Sequence, residues 1–166
     1  MHEIPLKEVR RLATVLFVCT GNTCRSPMAE ALFNHLANKK GLGSVRAVSA
    51  GLAAIQGDKA TPQAIEVMKR RGIDLSGHRA RNVDASLVEE ADLILTMTDR
   101  HKSILGSMYP RAASKIHVLK EYAEGGAVKG ELAQILDPFG QPVEEYESCA
   151  RQLEDALAKL IERLQA

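Results

Sequence analysis

The stretch Thr14-Val-Leu-Phe-Val-Cys19-Thr-Gly-Asn-Thr-Cys-Arg25-Ser-Pro-Met-Ala-Glu30 decides the fold. Thr14 to Cys19 is a short apolar, β-branched run without polar alternation, the pattern of a strand buried on both faces. It breaks into a polar, glycine-containing turn from Thr20 to Arg25. Ser26 and Pro27 then open a helix, as N-cap and first-turn proline. Ala29, Leu32, Phe33 and Leu36 follow at helical spacing and mark its buried face.

The same alternation runs outward from this stretch. Val45 to Ser49 reads as a second strand ending at Gly51, and Thr61-Pro62 starts a helix with Ile65 and Met68 inward and Gly72 as its stop. Leu93 to Met97 is a third strand, Asp99 begins a helix through Leu105 and Met108, and Ile116 to Leu119 is a fourth strand. The last helix carries Val143, Tyr146, Ala150, Leu153, Leu157, Leu160 and Leu164 at spacings of three and four. That stripe could be a coiled-coil seam, but at the end of a domain it reads as a core-facing face. The loose stretch Glu121 to Ile135, with Gly125, Gly126 and Gly130, reads as a mobile loop. Strands separated by helices give a single doubly wound α/β domain, a four-stranded parallel sheet with helices on both faces. Ligands bind beyond the carboxyl ends of such strands, where the first strand delivers Cys19.

Composition narrows the function. The 166 residues fit one domain, with 45% hydrophobic and 26% charged residues. A net charge of +1 leaves no basic field for a nucleic acid or an anionic membrane surface. No apolar run approaches the roughly 20 residues of a membrane span. Met1 to Arg11 has bases but no apolar core, so it reads as a possibly disordered N-terminal extension rather than a signal peptide, with the domain over 12–166. Three cysteines, an odd number, argue against a disulfide framework and for a reducing, cytoplasmic setting.

The turn carries the chemistry. Cys19 and Arg25 are separated by Thr20, Gly21, Asn22, Thr23 and Cys24 at a strand-to-helix turn. Such a loop can aim successive backbone N–H groups into one concavity, and the helix N-terminus adds partial positive charge. Arg25 supplies a bidentate fork for two phosphoryl oxygens. The same field favours a thiolate at Cys19 and makes it a nucleophile. Cys19 and Cys24 do not make a zinc site, since no second Cys or His cluster accompanies them.

Val18 to Glu30 resembles the phosphate-binding loop of the low-molecular-weight protein tyrosine phosphatase family. Ser49-Ala50-Gly51, Gly77-His78-Arg79-Ala80-Arg81 and Asp137-Pro138-Phe139 match further landmarks in order, and the likeness runs from about residue 13 to the C-terminus. The resemblance implies that Cys19 attacks phosphorus and forms a phosphocysteine, while Arg25 and the loop from Thr20 to Ser26 hold the phosphoryl oxygens. It implies that Asp137 is the general acid and then the base for hydrolysis, and that Asn22, Ser26, Ser49 and His78 hold the loop in shape. No metal or cofactor is expected. Phosphorylated proteins are the expected partners, with no nucleic acid and no membrane; the sequence leaves oligomeric state open.

Substrate preference rests on fewer residues. Tyrosine-specific members of the family usually carry a large aliphatic residue where this chain has Thr23. The Thr-Gly-Asn-Thr-Cys loop, Phe139 within Asp-Pro-Phe-Gly, His101-Lys102 and Leu119 to Tyr122 resemble the bacterial protein-arginine phosphatase branch. The resemblance therefore implies phosphoarginine on proteins as substrate, with Thr23 and Phe139 as specificity residues and phosphotyrosine as the alternative. An arsenate reductase would need relay thiols, and beyond the loop the chain has only Cys149, in the terminal helix. A non-turnover phosphate-binding module would have no use for both Cys19 and Asp137. Cys24 reads equally as a small loop filler or as a redox partner that traps oxidised Cys19 as a disulfide.

Overall fold

The computed structural model describes residues 14–165. The extension Met1 to Arg11 and the start of the domain at residue 12 lie outside the described residues. The elements run β1 (Thr14–Cys19), α1 (Arg25–Lys39), β2 (Arg46–Gly51), α2 (Pro62–Lys69), α3 (Ala85–Glu90), β3 (Leu93–Thr96), α4 (Asp99–Met108), β4 (Ile116–Val118), α5 (Leu119–Ala123) and α6 (Val143–Gln165). The four strands are all parallel, in the order β2-β1-β3-β4. The chain leaves β1 toward β2 on one side and later occupies β3 on the other. The strand order therefore reverses at the carboxyl end of β1, where a doubly wound sheet opens a crevice.

β1 shows why its sequence lacks alternation. Val15 and Phe17 pack into the larger core with α1, α2 and α6, while Leu16 and Val18 pack into the core under Val88, Leu105 and Ile116. Every second side chain serves a different layer, and both layers are apolar. Phe17 meets Phe33 of α1 with ring centroids 5.9 Å apart and the rings tilted, a geometry that aromatic quadrupoles favour. In α6, Tyr146, Ala150, Leu153, Leu157, Leu160 and Leu164 are buried against α1, α2 and α5. The stripe is a core face, as its spacing predicts.

Local chemistry places the ends of the helices. Thr61, Asp84 and Thr98 cap α2, α3 and α4, each side-chain oxygen accepting from a backbone N–H three residues on. Gly72 takes φ +74° just after α2, and the N–H of Ile73 returns to the carbonyl of Met68 at 3.0 Å.

Away from the turn after β1, the structure differs from the sequence reading at three places. Glu121 to Ile135 is organised rather than loose. It begins within α5, contains a 3₁₀ turn at Gly130–Ala133, and buries Ala123, Ala133 and Ile135. Helix α3, only six residues long, is absent from the sequence reading because it turns too few times to show a period. In α2 the buried face is Ala64, Val67 and Met68, with Ile65 only partly covered.

Among the described residues no helix is long and apolar enough to cross a membrane. Because Leu157 of α6 is fully buried in the larger core, Leu157→Ala is expected to cost about 2–5 kcal/mol. Urea unfolding followed by circular dichroism measures this directly; a change below about 0.5 kcal/mol would place the stripe at the surface.

Candidate active site

The loop after β1 turns on Asn22. Its φ of +55° lies in the left-handed region, where Asn is tolerated better than most side chains. Its amide Nδ2 donates to Ser26 Oγ at 2.8 Å and to Ser49 Oγ at 3.0 Å. Its Oδ1 accepts from the N–H of Arg81 at 3.0 Å. Its backbone carbonyl is held by His78 Nε2 at 2.7 Å, which requires the Nε2–H form of that ring. Four partners from three separate segments thus fix one buried residue.

Three further loop carbonyls are also held from outside. Cys19, Thr20 and Thr23 oxygens accept from the N–H groups of Leu52, Ala53 and Thr61 at 2.9–3.0 Å. With these carbonyls turned outward, the loop is suited to present peptide N–H groups to its concave side. Gly51 makes this packing possible. A Cβ there would lie 2.5 Å from the Thr20 oxygen and 3.1 Å from the Asn22 nitrogen.

Ser26 is not the N-cap that the sequence suggests. Helix α1 starts at Arg25, with Cys24 in the cap position and no side-chain cap. Ser26 is instead buried, accepts from Asn22, and sits 2.9 Å from Cys19 Sγ. With its oxygen occupied by the Asn22 donor, its O–H is free to donate to the sulfur. The uncapped first turn of α1 leaves backbone donors that suit an anion.

Arg25 lies at the base of a cavity of about 240 Å³ lined by Cys19, Thr20, Gly21, Thr23, Asp137 and Phe139, among others. It is only 4% exposed. One guanidinium nitrogen donates to the carbonyl of Ile135 at 2.9 Å, and another lies 3.6 Å from Asp137 Oδ2. Its Nε is buried without a hydrogen-bond partner within the described protein. A buried charged donor without a partner is costly unless a ligand satisfies it, so the cavity suits a tetrahedral anion. Asp137 is half exposed and accepts from the N–H of Phe139 at 3.1 Å. The Phe139 and Ile55 side chains are exposed at the cavity edge.

Sequence reasoning missed three supporting residues. His101, noted only as a branch landmark, is buried in the first turn of α4, with Nε2 3.0 Å from Thr20 Oγ1. Burial first, and then the Arg25 charge, lower its pKa to about 4, so the ring is neutral at pH 7. Glu30, at the end of the quoted motif, hydrogen-bonds Ser49, and burial raises its pKa. Arg81 supplies the N–H for Asn22 and its guanidinium holds the Ser49 carbonyl at 3.1 Å. For His101 the available signal was its place just after a helix cap at the carboxyl end of β3.

The other two thiols are buried. Cys24 Sγ contacts the Tyr146 hydroxyl at 3.4 Å, and burial raises its pKa. Burial pushes Cys149 up to about 12.

His101 gives a pH prediction. Its folded pKa lies below the unfolded value, so the unfolded state binds the extra proton first, and stability present above about pH 6.5 is lost as pH falls toward 4. Wild type is expected to lose on the order of 1 kcal/mol more than His101→Gln between pH 7 and pH 5, read from urea midpoints at each pH. Parallel losses would contradict the neutral, buried ring.

Comparison with known proteins places this geometry. Residues 14–166 match the family described as low molecular weight phosphotyrosine protein phosphatase. The protein-arginine-phosphatase of Bacillus subtilis (strain 168) is 43% identical over 150 residues, covering 90% of this chain and 95% of the relative. The YwlE arginine phosphatase, solved as a mutant with a phosphorylated active-site serine, superposes with a TM-score of 0.86 at 42% identity, over 92% of this chain and 95% of that one. A low molecular weight protein tyrosine phosphatase from T. tengcongensis gives 0.83 at 44% identity, over 90% of this chain and 97% of that one. With its sheet, its loop and nearly all of its length matched, this chain belongs to the low molecular weight phosphotyrosine protein phosphatase family.

Proposed function

We propose that the protein is a cysteine-dependent protein phosphatase that hydrolyses phosphoarginine through a phosphocysteine intermediate. The observation that carries the reading is a single cavity holding the Cys19 sulfur, an Arg25 Nε without a partner, and Asp137 3.6 Å from the same guanidinium.

The phosphoryl oxygens lie against the loop N–H groups from Thr20 to Ser26 and the Arg25 guanidinium. Cys19 Sγ attacks phosphorus from the side opposite the leaving nitrogen. The S–P bond forms, the P–N bond breaks, and its electron pair goes to nitrogen, which takes the proton of Asp137. Water then attacks phosphorus and gives its proton to the Asp137 carboxylate. The S–P pair returns to Cys19 as a thiolate, which the Ser26 hydroxyl at 2.9 Å supports. Asn22, Ser49 and His78 serve by holding the loop.

Thr23 and Phe139 bear on the substrate. Thr23 puts a hydroxyl on the cavity wall where a larger aliphatic residue would wall the mouth. The exposed ring of Phe139 can cover the face of a guanidinium. Two of the compared proteins are named arginine phosphatases. The second reading is phosphotyrosine, favoured by the tyrosine phosphatase name of the T. tengcongensis relative and by an apolar edge that also suits an aryl ring. Cys149, buried in α6 with a raised pKa, does not suit the relay thiol of an arsenate reductase.

The test is kcat/KM for a phosphoarginine peptide against a matched phosphotyrosine peptide. Wild type is expected to prefer phosphoarginine, and Thr23→Ile to move the ratio at least tenfold, about 1.4 kcal/mol, toward phosphotyrosine. A wild type that prefers phosphotyrosine leaves the family and chemistry standing and removes the arginine reading. A protein without turnover, even of an aryl phosphate, is a binding module. Cys24 shares the loop with Cys19, and a disulfide between them would protect the nucleophile in a reducing cytoplasm. Dithiothreitol is then expected to restore peroxide-treated wild type but not Cys24→Ser; equal recovery would leave Cys24 as a loop filler.

A further inference from the structure

The charged side chains lining the cavity are Arg25, Asp137 and Asp58. Asp137 has a part in proton transfer, and Asp58 has none. A carboxylate near a phosphoryl group repels it, so a site built only to capture an anion is weakened by Asp58. The repulsion is offset where the substrate carries positive charge or N–H donors beyond phosphorus. A phenyl ring carries neither. A guanidino group phosphorylated on one terminal nitrogen keeps N–H donors on its other nitrogens, and the leaving guanidinium is cationic.

The position of Asp58 is built rather than incidental. Gly57 takes φ +89° and its N–H donates to the carbonyl of Ala80 at 2.8 Å, while the N–H of Ala80 returns to the carbonyl of Asp58 at 2.7 Å. Ala80 is fully buried, and it lies between His78 and Arg81, which support the Asn22 turn. Three residues on, the N–H of Thr61 holds the carbonyl of Thr23 at 3.0 Å. The wall that carries Asp58 is thus tied to the same frame as the phosphate loop. The Asp58 carboxylate has no hydrogen bond or ion pair of its own among the described residues. An acceptor held on a fixed backbone and left without a partner is ready for a donor from the substrate.

We infer that Asp58 is a specificity residue that accepts the guanidino N–H groups of the substrate arginine, in the cavity it lines together with Phe139 and the phosphate loop. This rests on the phosphoarginine reading and assigns its recognition to a residue outside the family landmarks. Asp58 and Asp137 then both serve the leaving group, while Arg25 holds the phosphoryl oxygens.

The experiment measures kcat and KM for the phosphoarginine peptide and the matched phosphotyrosine peptide in wild type, Asp58→Asn and Asp58→Lys. The ratio of kcat/KM on phosphoarginine to that on phosphotyrosine is expected to fall fivefold to tenfold in Asp58→Asn and further in Asp58→Lys, chiefly through a higher KM for phosphoarginine. A ratio within twofold of wild type in both variants overturns the role of Asp58 and leaves the phosphoarginine reading intact. A wild type that turns over only phosphotyrosine overturns the reading and the role together.

Discussion

Asn22 holds a left-handed turn that most side chains avoid, at a cost of order 1–3 kcal/mol. The cost is offset by its hydrogen bonds to Ser26, Ser49, Arg81 and His78. Each bond adds roughly 1 kcal/mol net, and more where burial removes competing water. The conformation reverses the chain while the carbonyls of Cys19, Thr20 and Thr23 are held by the N–H groups of Leu52, Ala53 and Thr61, which suits the loop N–H groups to the cavity side. Remove the turn and the donors no longer converge, whatever residues remain. The nucleophile is tied to the same point, because Ser26 bridges Asn22 and the Cys19 sulfur.

The sheet makes that turn affordable to hold rigidly. β1 is an inner strand between β2 and β3 and is buried on both faces, so its carboxyl end is firmly packed. The end of β2 lies close enough to the loop that only glycine fits at position 51. Segments far apart in sequence, Ser49 to Ala53, Thr61, and His78 to Arg81, then meet the loop as neighbours. A parallel sheet with a reversal of strand order brings such segments together at one edge.

How much of this the sequence discloses depends on how local the cause is. β1 and α6 are legible because their apolar patterns are long relative to their periods, and the loop is legible because its residues are contiguous. Helix α3 is too short to show a period, and Ser26 reads as a cap because a cap needs only a hydroxyl before a helix. Its bond to Asn22 depends on the φ of a residue four positions earlier. His101, Glu30, Arg81 and Asp58 reach the site only through the tertiary fold. Glu30, Arg81 and His101 lie in stretches that mark the family, and His101 follows a helix cap, but their supporting contacts come from partners distant in sequence; for Asp58 the immediate sequence offers no such mark.

The supporting network also shapes the field that an anion meets. Burial lowers His101 to about 4 and raises Glu30, so both are biased toward their neutral forms beside the loop. Were His101 charged, it would repel Arg25 and pull phosphoryl charge away from the Cys19 axis. As a neutral ring it spends its Nε2 on Thr20 and leaves the positive field to Arg25 and the N–H groups of the loop and α1. The attraction is thereby concentrated along the line from Cys19 through phosphorus to the leaving nitrogen. Preorganised donors on that line need no rearrangement as charge shifts toward the transition state. Neutral groups such as Asn22, Ser26, Ser49 and His101 hold the loop from behind without competing for its ligand.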